Sequence, residues 1–120
     1  MRDYNLYLDD ILQAIQKIEK YIKGMDLDKL KKEDLIIDGV VRNLEIIGEA
    51  AKNIPQDIKK EHLDIEWKKV AGLRDILAHQ YFGIDAEILW DIIKNKLPEL
   101  KVKNFWLIKM RKNFVHILYK

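Results

Sequence analysis

The stretch IDGVVRNLEIIGEAA, residues 37–51, decides the fold because it predicts a helix that is apolar on two sides. Its two apolar rows are Ile37, Val41, Leu44, Gly48 and Ala51 on one side, and Val40, Ile47 and Ile54 on another. A helix that is apolar nearly all round is usually buried by more than one neighbour. We therefore predict a central helix over residues 33–53, around which the remaining helices pack.

A charged stripe runs along the same helix, formed by Asp38, Arg42, Glu45, Glu49 and Lys52. One interpretation is a solvated face with alternating ion pairs. The other is that part of the stripe faces an active-site cleft or a partner subunit, which makes Arg42 and Glu49 supporting site candidates. Gly48 and the Ala50–Ala51 pair would let another backbone come close to this helix.

Three further helices are indicated by apolar spacing and by turn residues. They cover residues 4–23 before Gly24, residues 65–81 after an Asp64 cap, and a segment after an Asp85 cap that Pro98 breaks or kinks. Residues 26–32 are polar and predict a connection, and no segment alternates as a strand would. The expected fold is all-α, a single domain over residues 1–120 built as an antiparallel up-down four-helix bundle.

Composition excludes several kinds of chemistry. The chain has no Cys, Ser or Thr, so thiol nucleophiles and thiolate metal sites are impossible, and tyrosine is the one hydroxyl nucleophile left. Its apolar runs are far shorter than a membrane span, and the N-terminus has no signal-like pattern, which predicts a cytoplasmic protein.

Charge is unevenly distributed along the chain. Residues 101–120 carry six Lys and Arg and no Asp or Glu, whereas residues 1–100 carry sixteen basic and twenty acidic side chains. The basic tail can continue as a helix with Trp106, Met110, Phe114 and Ile117 on one side. It either closes the end of the bundle with Trp106, Phe114 and Leu118, or forms a membrane-surface or RNA-tracking helix.

The motif RDILAHQY, residues 74–81, gathers an arginine, an imidazole and a phenol. On a regular helix, Tyr81 shares a face with Arg74, but His79 lies about 140° away, so a second copy could complete the site. Asp75 is four residues before His79 and could orient its imidazole. The plain alternative is that the helix dipole attracts Arg74 and His79 to a C-terminus. His62 and His116 fit no metal-ligand spacing and are predicted to be structural.

Arg-x4-His-x-Tyr resembles the signature of HEPN-superfamily ribonucleases, and the chain is similar to the HepT-like toxins over roughly residues 1–100. The matching blocks are residues 1–24, residues 42–51 with Pro55, residues 67–83 and residues 89–98. The resemblance implies a symmetric homodimer and a metal-independent endoribonuclease without a cofactor. It implies Arg74 and His79 as catalytic residues and RNA as substrate, with tRNA the expected target.

The same resemblance implies a type VII toxin–antitoxin pair, in which a minimal nucleotidyltransferase antitoxin adenylylates Tyr81. After Leu100 the chain departs from the family, whose members usually end in a mixed-charge helix. The alternative function is a non-catalytic helical module that docks a nucleotidyltransferase, a nucleotide or a nucleic acid.

Overall fold

A computed structural model describes the backbone of residues 3–75 and 85–118, and the side chains of residues 3–75 and 85–110. Its α-helices are α1 (Tyr4–Tyr21), α2 (Leu27–Lys31), α3 (Asp34–Lys52), α4 (Gln56–Glu61), α5 (Trp67–Ala71), α6 (Ala86–Asp91) and α7 (Leu97–Leu118). A 3-10 turn, Gly72–Asp75, follows α5, and a π-turn, Ile92–Lys96, joins α6 to α7. The predicted all-α class is confirmed, and no strand occurs in the described ranges.

Helix α3 forms the centre of the molecule, as its two apolar sides predict. Val40, Val41, Leu44 and Ile47 are fully buried along it. The Tyr21 ring at the end of α1 covers Gly39 near the start of α3, so the two helices run antiparallel. This pairing places the beginning of α1 beside the end of α3.

Helix α1 begins where an Asp3 carboxylate accepts the Asn5 N–H at 2.9 Å, and it buries Leu8, Ile11, Ile15 and Ile18. It ends at Tyr21, two residues before the predicted end, and Gly24 then adopts a φ of 78°. The predicted connection over 26–32 is wrong in part, because Asp26 caps α2 and Leu30 is fully buried.

The third predicted helix, residues 65–81, is wrong in its start and its regularity. The described part begins at Trp67, without a side-chain cap from Asp64, because Ile65 and Trp67 are buried and the Trp67 indole donates to the His62 carbonyl at 3.0 Å. After α5 the helix tightens into the 3-10 turn, where Gly72 weakens α-helical propensity. The predicted remainder, including Gly83, lies outside the described residues.

The last helical segment is nearly continuous from α6 to α7. An Asp85 carboxylate caps it through the Glu87 N–H at 2.8 Å, as predicted. The expected break at Pro98 is replaced by the π-turn, in which the Leu97 N–H donates to the Ile92 carbonyl. Pro98 lacks an N–H and cannot complete an α-helical ladder, so an already widened turn accommodates it.

Helix α7 packs antiparallel against α1. Lys101 Nζ lies 2.9 Å from Glu19 Oε1, and the buried Asn104 amide donates to the Leu8 carbonyl at 2.9 Å. Trp106 is 54% exposed, so its predicted closing role is wrong, and the Phe114 and Leu118 side chains lie outside those described. Within the described ranges, each helix is too short or too polar to span a bilayer.

Candidate functional site

The candidate site is built on a close contact between α3 and the 3-10 turn. A Cβ added to Gly48 would collide with the Arg74 backbone nitrogen, and it would lie 2.9 Å from the Ala71 carbonyl oxygen and 3.0 Å from the Arg74 Cα. Only a glycine allows the two backbones to approach this closely. The predicted close approach at Gly48 is confirmed, and it fixes the backbone that carries Arg74.

The Arg74 guanidinium lies at the surface between two carboxylates. Its Nη1 is 3.3 Å from Glu49 Oε2, and its Nε is 3.7 Å from Asp75 Oδ1. The Arg74 side chain is 38% exposed, and both carboxylates are more exposed still. Such solvated pairs contribute about 0–1 kcal/mol, so an incoming phosphate can replace a carboxylate at little energetic cost.

Two members of the charged stripe on α3, Glu49 and Arg42, differ in their contacts. Glu49 reaches Arg74, which favours the interpretation that part of the stripe faces a site. Arg42 lies two turns earlier on the same side of α3 and is exposed. Among the described residues, Arg42 makes no ion pair with Glu49 or Asp75.

The structure describes the start of the motif, Arg74 and Asp75, and places it in the 3-10 turn. The 3-10 geometry of Gly72–Asp75 turns about 120° per residue instead of about 100°. The described contact of Asp75 is with Arg74 Nε. His79 and Tyr81 lie outside the described residues, and so does the His116 side chain. His62 is half-buried, and its carbonyl accepts the Trp67 indole N–H.

A groove between α5 and α7 was not predicted from the sequence. Its floor is apolar, with Val70, Leu73, Leu97 and Leu100, and its rim carries paired charges. Lys69 lies 2.7 Å from Glu66 and Lys103 lies 2.9 Å from Glu99. The hydrogen bond from each lysine lowers the pKa of its glutamate, and that bond raises the pKa of the lysine in turn.

In the described part of the chain, no three His, Asp or Glu side chains are grouped as metal ligands.

Fold and site together define an all-α bundle protein whose surface arginine is anchored by a glycine-mediated helix contact and flanked by carboxylates. A family model described as "Ribonuclease HepT-like" matches residues 11–103. The chain therefore belongs to the HepT-like ribonuclease family, as the sequence resemblance predicted.

Individual relatives agree with this assignment. A Thermococcus cleftensis protein named "Probable ribonuclease HepT" is 42% identical over 102 residues, which are 85% of this chain and 93% of that protein. A "Putative RNase" of Caldanaerobacter subterraneus is 40% identical over 95 residues, or 79% of this chain and 85% of the relative.

A longer relative from Methanocaldococcus jannaschii has a name that joins "Gamma-glutamylcyclotransferase" to "putative RNase". It is 40% identical over 100 residues, which cover 83% of this chain but 45% of that protein. No match is found among solved structures.

Proposed function

We propose that this protein is a metal-independent endoribonuclease that uses the ribose 2′-hydroxyl of its substrate as the nucleophile. The observation that carries the proposal is the solvent-accessible Arg74 guanidinium, held at a fixed backbone position and paired with readily displaced carboxylates. A planar guanidinium binds a phosphate in a bidentate manner, and it stabilises the charge that develops during phosphoryl transfer. Membership of a ribonuclease family supports the choice of RNA as substrate, and tRNA is the proposed target.

In the proposed reaction, the 2′-oxygen attacks the adjacent phosphorus while the bond from phosphorus to the 5′-oxygen breaks. His79 removes the 2′-hydroxyl proton, and a second His79, from the other copy of a symmetric homodimer, donates a proton to the leaving 5′-oxygen. An imidazole with an ordinary pKa of about 6.5 can perform either transfer near neutral pH. The products carry a 2′,3′-cyclic phosphate and a 5′-hydroxyl.

The lack of Ser, Thr and Cys supports a mechanism in which the substrate supplies the nucleophile. Arg74 binds the scissile phosphate in this scheme, and Glu49 and Asp75 position it before RNA arrives. Arg42, on the same side of α3 as Glu49, is proposed to contact the RNA backbone beside the scissile phosphate.

The test is incubation of purified protein with total tRNA in the presence of a chelator. We expect cleavage, and we expect the new 3′ ends to be 2′,3′-cyclic phosphates, because no metal-bound hydroxide takes part. Intact RNA with a shifted mobility would instead support the non-catalytic binding module. Cleavage that stops with chelator, or products with linear 3′-hydroxyl ends, would contradict the mechanism.

Regulation is proposed to act on Tyr81, through adenylylation by a minimal nucleotidyltransferase antitoxin in a type VII toxin–antitoxin pair. The transfer forms a bond between the Tyr81 phenol oxygen and the α-phosphorus of ATP, and it releases pyrophosphate. The added phosphodiester would place a negative charge near Arg74, where it competes with RNA for the guanidinium.

Tyr81→Phe is expected to leave RNA cleavage nearly unchanged and to abolish inhibition by the antitoxin, because it keeps the ring and removes the acceptor oxygen. Intact-mass measurement after co-expression with the antitoxin is the readout. An adenylate on the Tyr81→Phe protein, or none on the wild type, would show that Tyr81 is not the regulated residue.

A further inference from the structure

Helix α7 has two apolar faces, and within the described residues one of them packs against the bundle while the other is about half exposed. The inner face is buried and consists of Leu97, Leu100, Asn104, Leu107 and Ile108. The outer face, called the aromatic face below, consists of Val102, Phe105, Trp106, Lys109 and Met110, and its four apolar members are about half exposed. A helix that is apolar all round normally has a partner on each side. The aromatic face therefore needs an occupant.

The aromatic face combines two rings with a cation. The Phe105 and Trp106 rings are edge-to-face with centroids 6.2 Å apart. Lys109 Nζ lies 5.6 Å from the Trp106 ring centroid and 6.0 Å from the Phe105 centroid. Exposed aromatic rings beside lysines are the features with which proteins stack nucleic acid bases and follow their phosphates.

Charge favours a polyanion as the occupant, although Lys101 and Lys103 are already paired with Glu19 and Glu99. Residues 101–120 contain six Lys and Arg and no acidic side chain. A second copy packed along the same helix would bring two strongly positive segments together, which is unfavourable. An RNA strand has the opposite charge and supplies flat bases for the rings.

The position of the helix suits an extended substrate. Because α7 runs antiparallel to α1 and α1 runs antiparallel to α3, the aromatic face lies toward the end of the bundle where α3 terminates. Glu49 lies in the last turn and a half of α3, and it contacts Arg74 in the 3-10 turn at this same end. An RNA strand bound at Arg74 can therefore reach α7 by extending along this end of the bundle.

We propose that the aromatic face of α7 is a binding site for single-stranded RNA, on which bases stack against Trp106 and Phe105 while Lys109 binds a phosphate. The choice of RNA rests on the proposed ribonuclease function, and the site extends the substrate contact beyond the scissile phosphate. It lies largely beyond residue 103, where the family match ends.

The experiment measures binding without cleavage. The probe is a fluorescent single-stranded oligonucleotide with 2′-O-methyl groups, which has no attacking hydroxyl. Trp106→Ala is expected to weaken its binding about five- to tenfold, because it removes one stacked base contact. Trp106→Phe keeps a ring and is expected to retain most of the affinity. Lys109→Gln is expected to lower the slope of log affinity against log salt by about 0.7.

Two control variants match these changes elsewhere on the surface. Leu35→Ala removes an exposed apolar side chain from α3, and Lys17→Gln removes an exposed lysine from α1. Neither is expected to alter RNA affinity. Inorganic polyphosphate, which has charge but no bases, should bind wild type and Trp106→Ala equally.

Unchanged RNA affinity in Trp106→Ala overturns the proposal, and so does an equal loss of affinity for polyphosphate. Sedimentation that shows a dimer in the wild type and a monomer in Trp106→Ala also overturns it, because a second copy then covers the face. The outcome is independent of catalysis. A Trp106 effect on binding without any RNA cleavage supports this site and contradicts the proposed nuclease, and cleavage without a Trp106 effect does the reverse.

Discussion

Arg74→Ala and His79→Ala are each expected to lower the rate of RNA cleavage by about 10²–10³-fold, since each removes a group that acts on the transition state. For Arg74 the structural reason is direct, because its guanidinium is partly exposed and its described partners are two exposed surface carboxylates. The loss should appear in kcat/KM with RNA, measured by the appearance of cyclic-phosphate ends. Arg74→Lys keeps the charge but not the bidentate geometry, so it should recover only part of the rate.

The controls separate catalysis from folding. Arg74 forms solvated ion pairs, so Arg74→Ala should change the free energy of unfolding by no more than about 1 kcal/mol. Lys69→Ala is the matched control, because it removes the exposed ion pair between Lys69 in α5 and Glu66. It should leave cleavage unchanged. Full activity in a folded, nuclease-free Arg74→Ala or His79→Ala protein would contradict the assigned roles.

Gly48→Ala is the second change with a large expected effect, on both stability and cleavage. The new methyl group gains about 1 kcal/mol of helix propensity. It also collides with the backbone of the 3-10 turn at Ala71 and Arg74, and such overpacking costs about 1–3 kcal/mol. The collision should prevail because backbone atoms, unlike the end of a side chain, cannot rotate away. We expect net destabilisation in denaturant unfolding and a loss of cleavage as Arg74 shifts.

Gly72→Ala is the matched control for Gly48→Ala, because it changes a glycine in the same contact region. A Cβ at Gly72 meets nothing within 4 Å, and its φ of −65° suits any residue. This variant should retain activity with unchanged or slightly higher stability. Equal behaviour of the two variants would show that the close contact at Gly48 does not hold Arg74 in place.

The long helices could be predicted because the spacing of apolar residues along the chain indicates which side of each helix is buried. Val40 and Leu44 in α3, like Leu8 and Ile15 in α1, recur at helical spacing and are buried as expected. The 3-10 turn in the third helix could not be predicted in this way. This turn lies against Gly48, a contact between positions more than twenty residues apart that no local window contains.

The same limit applies to the site. The stripe on α3 identified Glu49 as a candidate, but its contact with Arg74 depends on how two helices pack. The four-residue spacing of Asp75 and His79 predicts a contact between them, and that contact stays a prediction because His79 lies outside the described residues. Trp106 and Met110 were placed on one side of a helix correctly, whereas their exposure depends on which face of α7 meets α1.

The π-turn over Ile92–Lys96 determines which side of α7 faces the bundle and which side faces solvent. It holds one residue more than an α-helical turn, which rotates α7 by about 100° relative to an uninterrupted helix. Since α7 is apolar on two faces, hydrophobicity alone does not choose between them. Deleting one residue from the turn would give a regular α-helical turn and keep the present phase of α7, whereas an α-helical turn of the full sequence would rotate Asn104 away from the Leu8 carbonyl. A single hydrogen-bond register therefore decides which surface becomes core and which meets solvent.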